Sequence, residues 1–256
     1  MTAQPQAGAA LVQQPQLRRR QQGLSFLVHG NAKVGKSTFA DSGPVPRVVF
    51  DVEGSSTWTP SRKIEWDPTR EQPPRWDGTW DTAIVMVREA RDVASGYRWL
   101  SSGQHPFNSC TVDSLTEYQQ RVIDQMVGTG QMKREDWGGM LRQLSSMARQ
   151  FRDLIINPVK PLWAVTFVAG TKYDEKIAKW RPMVQGQSQD YLPYYVDVLG
   201  YLGAQQDGTR LIFIGPHPNY ETGERLGGRL PNTMQIGDPS HPGYTAESML
   251  AQVLQG

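Results

Sequence analysis

Residues 26–43, FLVHGNAKVGKSTFADSG, decide the fold class of this chain. Residues 30–37 match the pattern G-x-x-x-x-G-K-[ST], in which glycines let backbone N–H groups turn toward phosphate oxygens. An apolar run precedes the match and STFA follows it, as expected for a strand, a loop and the start of a helix. A chance match in a glycine-containing turn would not have these neighbours. The stretch therefore predicts a phosphate-binding loop (P-loop) for a nucleoside triphosphate.

The loop pattern predicts a role for each of its polar residues. Lys36 would place a mobile positive charge at the β- and γ-phosphates of ATP, and the Ser37 hydroxyl would bind Mg²⁺. The positive end of the helix that follows would also attract the phosphates. The predicted nucleotide-binding residues are Gly30, Asn31, Ala32, Lys33, Val34, Gly35, Lys36, Ser37 and Thr38.

Composition narrows the class of protein further. The chain has 256 residues, 38% of them hydrophobic, which is enough for one substantial α/β domain. No apolar run reaches the roughly 18 residues that a membrane helix needs, and the first residues lack a signal-peptide pattern. The single cysteine, Cys110, excludes an internal disulfide, so we expect a cytoplasmic protein with no membrane partner. Because the net charge is only +2, any nucleic-acid contact must come from a local basic patch.

Apolar runs and their spacing predict the order of strands and helices. We expect strands at residues 24–29, 47–54 and 162–170, a strand, turn and helix start over residues 106–118, and helices over residues 81–100 and 136–156. Residues 196–215 are expected to form two strands joined across Asp207-Gly208, a hairpin signal. Residues 55–80 hold four tryptophans among prolines and are expected to form an irregular, partly packed excursion. The predicted fold is α/β, with a mainly parallel central sheet flanked by helices and a C-terminal antiparallel hairpin.

Acidic residues at predicted strand ends are candidates for metal binding and catalysis. Asp113 follows an apolar strand and would hold the Mg²⁺ shell together with Ser37. Asp113 and Ser114 are also good helix N-caps, and the two roles are compatible. Asp51 and Glu53 end another strand, and Glu53 is the candidate base for the attacking water because ligands bind at the carboxyl edge of such sheets. The alternative for Glu53 is an exposed loop acid.

The succession of P-loop, DVEG after the next strand and TVDSLT resembles the core of the RecA superfamily. Later segments resemble small phage-encoded RecA-like ATPases of single-strand annealing and recombination: DWGGM at residues 136–140, RPMVQGQSQDYLPYYVDVLGYL at residues 181–202 and ERLGGRLP at residues 224–231. The likeness divides the chain into a flexible Gln/Pro-rich tail (residues 1–22), a RecA-like ATPase domain (residues 23–231) and a C-terminal tail with a short helix (residues 232–256). For a phage protein, the compartment would be the host cytoplasm.

The resemblance implies further functional residues and partners. A glutamate in the position of Glu53 activates water in the RecA superfamily, and a neighbouring subunit supplies a cation to the γ-phosphate. Arg225 is the best match for that cation and Arg229 the second, which implies self-assembly into a ring or filament. The chain departs from the family pattern twice: Thr171 or Lys172 must replace the usual polar sensor after the strand, and Gly223 stands where a lysine is common.

The resemblance also places a DNA-contacting loop within residues 171–190. This segment interleaves cations with aromatic side chains, the combination that single-stranded DNA requires. The candidate DNA-binding residues are Lys172, Lys176, Lys179, Trp180 and Arg181, and a single-strand-binding protein is a further possible partner. A solvated hairpin is the alternative for the same segment.

Three functions remain open from the sequence. The first is an ATPase, requiring ATP and Mg²⁺, that acts on single-stranded DNA as an oligomer. The second is a P-loop small-molecule kinase, although no arginine-rich lid is evident. The third is a nucleotide-gated assembly or regulatory protein with little turnover.

Overall fold

The computed structural model describes residues 23–237 and 243–255. The predicted flexible tail, residues 1–22, lies outside the described residues. Across the described part of the chain, no helix combines the length and the apolar character needed to cross a membrane.

The described residues form one large sheet and a separate two-stranded hairpin. The strands are β1 (Leu24–His29), β2 (Arg47–Asp51), β3 (Lys63–Glu65), β4 (Thr82–Met86), β5 (Ser109–Asp113), β6 (Ala164–Ala169), β7 (Thr171–Asp174), β8 (Lys179–Pro182), β9 (Val198–Ala204), β10 (Arg210–Phe213), β11 (Gly223–Glu224) and β12 (Thr233–Gln235). The large sheet has the order β12-β10-β9-β1-β6-β5-β2-β4-β3, with β11 paired to β9, and β7 pairs only with β8. From β9 to β3 the neighbouring strands are parallel, while β10, β11 and β12 add antiparallel pairs.

Helices cover the sheet. They are α1 (Lys36–Ala40), α2 (Ala90–Ser102), α3 (Leu115–Val127), α4 (Arg134–Asp153), α5 (Ser188–Tyr191) and α6 (Ala246–Gln255), with short 3₁₀ turns at Ser56–Trp58, Leu154–Ile156 and Leu192–Tyr195. In α4, apolar residues recur every three or four positions, so that Met140, Leu144 and Phe151 are buried against the sheet. The central strands β1, β5 and β6 are buried along their whole length, as expected for parallel strands covered on both faces.

The strand register brings the ends of the central strands together. His29 pairs with Ala169, Asp113 with Val168, and Asp51 with Asp113. One strand, β6, separates the P-loop strand β1 from the acid-bearing strand β5. The P-loop, Asp113 and the segment after Asp51 therefore meet at one edge of the sheet, which we call the carboxyl edge.

The predicted fold class is confirmed: a mainly parallel central sheet, flanking helices and an antiparallel hairpin at β9–β10. Two expectations need correction. Residues 81–100 were expected to be helical, but residues 82–86 form strand β4, because TAIVM is a short buried apolar run that also fits a strand. Residues 232–256 were expected to be a tail with a short helix. The helix is present as α6, but β12 joins the main sheet and α6 buries Met249, Leu250 and Val253 in a core shared with β1 and β6.

The tryptophan-rich excursion is only partly packed. Trp66 and Trp80 are buried and contact Phe107, whereas Trp76 is 44% exposed and Trp58 is 91% exposed. Trp58 lies on the rim of the cavity described next.

Candidate nucleotide-binding site

The P-loop adopts a backbone that requires glycine at two positions. Gly35 has φ +97°, in the left-handed region that favours glycine. A Cβ on Gly30 would collide with the carbonyl oxygen of Leu202 on β9. The loop is thus seated against β9 and leads directly into α1, whose first residues are Lys36 and Ser37.

Lys36 is held over the loop. Its Nζ donates a hydrogen bond of 2.6 Å to the backbone oxygen of Asn31. Burial lowers the pKa of Lys36 from 10.5, and the charges of Glu53 and Asp113 oppose this shift. The lysine therefore lies between the loop and two carboxylates, where a phosphate chain would replace the Asn31 oxygen as its partner.

Ser37, Ser55 and Asp113 form a cluster of oxygen atoms beside Lys36. The Ser37 and Ser55 hydroxyls lie 3.2 Å apart, and Ser55 donates to Asp113 over 3.3 Å. Burial raises the pKa of Asp113 to about 6, and hydrogen bonds from the Ser37 and Ser55 hydroxyls act in the opposite direction. A buried carboxylate with this little compensation would be stabilised by a cation.

The donor set fits Mg²⁺ bound together with a nucleotide. Mg²⁺ keeps several waters and commonly takes one or two protein oxygens plus phosphate oxygens. Ser37 and Asp113 supply such oxygens. Within residues 23–237 and 243–255, no group of three or more His, Cys, Asp or Glu side chains could hold a metal, so an ion here would depend on the phosphates.

Glu53 is positioned by two neighbouring residues. Asp51 is buried and accepts hydrogen bonds from the backbone N–H groups of Gly54, Ser55 and Ser56, which fixes the turn that carries Glu53. Ser114 donates its hydroxyl to Glu53, and it also caps α3 by accepting from the N–H of Glu117. Because Ser114 makes the cap, the carboxylate of Asp113 is left for the cluster at Ser37.

The end of β6 supplies a polar group at the position expected for a sensor. Thr171 lines the same cavity as Lys36 and Glu53. Its hydroxyl lies 3.1 Å from Nδ1 of His29 and 3.1 Å from the backbone oxygen of Arg181. His29 is buried, its pKa is lowered to about 4 chiefly by burial, and its Nε2 lies 2.9 Å from the carbonyl oxygen of Glu221. Since a carbonyl only accepts, Nε2 carries the proton of the neutral ring, and the unprotonated Nδ1 and the Arg181 carbonyl oxygen share the single hydroxyl proton of Thr171.

Arg225 and Arg229 lie at the opposite edge of the sheet. Both line a small cavity with Leu24, the first residue of β1, and with Asp197, which precedes β9. Arg225 donates to the backbone oxygen of Tyr194 over 2.6 Å, and Arg229 donates to that of Val253 over 3.2 Å. The six residues of β1 separate them from the P-loop, roughly 20 Å at the usual rise of a strand. Neither arginine can reach the nucleotide site of its own chain.

The candidate DNA segment is the β7–β8 hairpin. Lys176 and Trp180 are exposed, Lys179 is half-buried, and Lys172 donates to the backbone oxygen of Val184 over 2.8 Å. The guanidinium of Arg181 does not face solvent: it is buried in ion pairs with Asp174, Asp190 and Glu221 at 2.7 to 3.1 Å. Arg181 therefore holds the hairpin to the rest of the fold.

Sequence patterns alone missed three contributors to the site. Ser55 bridges Ser37 and Asp113, His29 contacts Thr171, and Arg210 lines the cavity from β10. The doubled serine in DVEGSS was the available signal for Ser55. No motif marks Arg210, because its position depends on how the β9–β10 hairpin folds back beside the loop.

Together the loop, Lys36, Ser37, Asp113 and Glu53 line one cavity of about 610 Å³. This arrangement at the carboxyl edge of a mainly parallel sheet defines a P-loop NTPase fold. Residues 22–226 match the model of the AAA domain family, and the chain belongs to that family. Comparison with curated proteins gives no match to this chain.

Proposed function

We propose that this protein is a RecA-like ATPase that hydrolyses ATP with Mg²⁺ and acts on single-stranded DNA in phage recombination or annealing. The observation that carries the ATPase part is the convergence of Lys36, Asp113 and Glu53 on one cavity. Lys36 would hold the β- and γ-phosphates, Ser37 and Asp113 would hold Mg²⁺, and Glu53 would orient and deprotonate the attacking water.

The link to DNA is supported by the position of the β7–β8 hairpin. The hairpin starts at Thr171, separated from the end of β6 by Gly170 alone, and Thr171 lines the nucleotide cavity. Its outer part presents Lys176, the half-buried Lys179 and two aromatic rings, Tyr173 and Trp180, whose centroids are 5.5 Å apart. Lysines suit a phosphate backbone, and exposed rings suit stacked bases. Nucleotide state and DNA contact would thus be coupled through one short segment.

Self-assembly is supported by the opposite placement of the arginines. Arg225 could serve the γ-phosphate only in another copy of the chain, since it lies about 20 Å from its own P-loop. A cation supplied in this way stabilises the charge that develops on the transferred phosphoryl group. Arg229, beside it, is the second candidate for the same role.

The decisive experiment measures ATP hydrolysis by the wild-type protein and by Glu53→Gln, with and without single-stranded DNA. We expect DNA-stimulated turnover in the wild type and a loss of roughly 100-fold or more in Glu53→Gln, with ATP binding retained, because proton transfer is removed without touching the loop. Glu65→Gln, an exposed acid on β3 outside the cavity, is the matched control and should behave as wild type.

Two results would contradict the proposal in separable ways. Turnover that Glu53→Gln leaves unchanged would remove Glu53 from catalysis. Turnover that single-stranded DNA never alters would remove the DNA role while leaving the ATPase intact.

A further inference from the structure

Arg210 lies against the P-loop on the side away from the acids. It is the first residue of β10 and pairs with Ala204 at the carboxyl end of β9. A Cβ added to Gly35 would stand 3.0 Å from Cδ, 3.1 Å from Nε and 3.2 Å from Cζ of Arg210. The Arg210 side chain therefore occupies the space beside Gly35 where a Cβ would stand, and Arg210 lines the same cavity as the loop.

The order of the strands places the acids and Arg210 on opposite sides of the P-loop strand β1. Asp113 ends β5 and Glu53 follows β2, and both strands lie on one side of β1 beyond β6. Arg210 lies on the other side of β1, on β10 beyond β9. A triphosphate whose γ-phosphate lies near Glu53 and whose β- and γ-phosphates bind Lys36 must run its remaining phosphate toward the β9–β10 side.

We propose that Arg210 binds the α-phosphate of the nucleotide through its guanidinium. This inference rests on the proposed nucleotide-binding function and adds a second cation to it, at the opposite end of the triphosphate from the acids. A guanidinium offers N–H donors in a planar fork, so two of them can bind the one α-phosphate oxygen that faces β10, a contact that a lysine cannot reproduce. Lys36 and Arg210 would then hold the triphosphate at both ends, and Arg210 would act equally on ATP and GTP.

The test compares wild type, Arg210→Met and Arg210→Lys by calorimetric titration with MgATP, MgGTP and magnesium tripolyphosphate. Methionine keeps the apolar contact with Gly35 but removes the charge, and lysine keeps the charge but removes the fork. We expect Arg210→Met to weaken all three ligands by a similar factor, roughly 10- to 100-fold, as for a lost hydrogen bond to a charged group. The affinities of Arg210→Lys should lie between those of wild type and Arg210→Met. Arg70→Met, an exposed arginine near β3, is the matched control and should not change binding.

A second measurement separates phosphate binding from mere support of the loop. The two diastereomers of ATPαS differ only in which α-oxygen is replaced by sulfur, a poorer hydrogen-bond acceptor. Wild type should bind one diastereomer more weakly, and Arg210→Met should reduce that difference toward a ratio of one. An arginine that only supports the loop would lower both affinities and leave the ratio unchanged.

The outcomes distinguish failure of the proposed function from failure of the Arg210 assignment. If wild type binds no ligand, both the proposed function and this inference fail. If wild type binds all three and Arg210→Met binds them equally well, only this inference is overturned. If Arg210→Met weakens ATP and GTP but not tripolyphosphate, the guanidinium contacts the sugar or base, and the α-phosphate assignment is wrong.

Discussion

At the residue scale, burial disfavours the charged forms of two groups of opposite sign in the site, Asp113 and Lys36. Burial raises the pKa of Asp113 to about 6 and lowers that of Lys36, so each group would be favoured by a partner of opposite charge. Mg²⁺ beside Asp113 and phosphates beside Lys36 would supply those partners. Tight nucleotide binding is thus expected to require the metal.

His29 gives a prediction for the pH dependence of stability. Its pKa is about 4 in the folded protein against an ordinary value of 6.5, so its neutral form favours folding above pH 6.5. Between pH 6.5 and 4 His29 binds a proton in the unfolded chain but not in the folded chain, so the free energy of unfolding falls as pH falls. The full effect of such a difference is about 3 kcal/mol.

The measurement is urea unfolding of wild type and His29→Gln from pH 7.5 to pH 4.5. The variant should lose less stability than wild type over that interval, whatever the substitution costs at pH 7.5, where the histidine is neutral in both states. Parallel pH profiles for the two proteins would show that His29 has the same pKa in the folded and the unfolded chain, contrary to this expectation.

At the element scale, the β7–β8 hairpin is fixed at its base and open at its tip. Arg181 ties the base to Glu221 and Asp174, and Thr171 connects it to His29. Glu221 also accepts from His29 through its backbone oxygen. A change at the γ-phosphate that moves Thr171 would therefore be transmitted to a rigid base and not absorbed by a loose loop.

The exposed tip of this hairpin gives a prediction about DNA binding. Removing both lysines in Lys176→Ala/Lys179→Ala should weaken the binding of single-stranded DNA. It should also reduce the slope of log K against log salt by about 1.4, since each phosphate contact on a single strand contributes about 0.7. Fluorescence anisotropy over a salt series measures the slope. Arg70→Ala/Arg75→Ala, which removes the same charge elsewhere on the surface, should keep the wild-type slope. A slope unchanged in the lysine variant would exclude the tip as the DNA contact.

Most of the fold follows from local patterns in the sequence. Short apolar runs bounded by glycine or proline, such as residues 24–29 and 162–170, predict central strands because a strand covered on both faces is mainly apolar along its length. Strand β4 was missed because a run of five residues, four of them apolar, cannot be assigned to strand or helix by spacing alone. The packing of α6 against the central strands was also missed, since contacts between distant segments leave no local signal.

The candidate site likewise contains some residues that local sequence patterns predict and others that they do not. The loop, Asp113 and Glu53 each follow a recognisable strand, so position in the chain predicts position at the carboxyl edge. Arg181 was chosen as a DNA contact because it is a cation in a mixed segment. The acids that neutralise it, Asp174 and Glu221, lie seven and forty residues away, and only the tertiary structure shows that they meet it.

At the scale of the whole molecule, the nucleotide site and the candidate arginines lie at opposite edges of one sheet. A test of their partnership mixes two inactive variants, Glu53→Gln and Arg225→Ala. In a random mixture, roughly a quarter of head-to-tail contacts would join an intact Glu53 to an intact Arg225, and a comparable fraction of the ATPase rate should return. Each variant alone remains inactive and serves as the control. No recovery on mixing, with assembly confirmed by light scattering, would show that Arg225 does not act between copies.

The opposite placement of these two edges also gives any assembly a direction. Contacts between unlike faces of the same chain either close into a ring or continue as an open polymer with two different ends. In an open polymer, one terminal subunit always lacks the neighbour that would complete its nucleotide site. The specific activity of an open polymer would then rise with polymer length toward a plateau. In a closed ring every site would be complete, and the specific activity would be independent of concentration once the ring has formed.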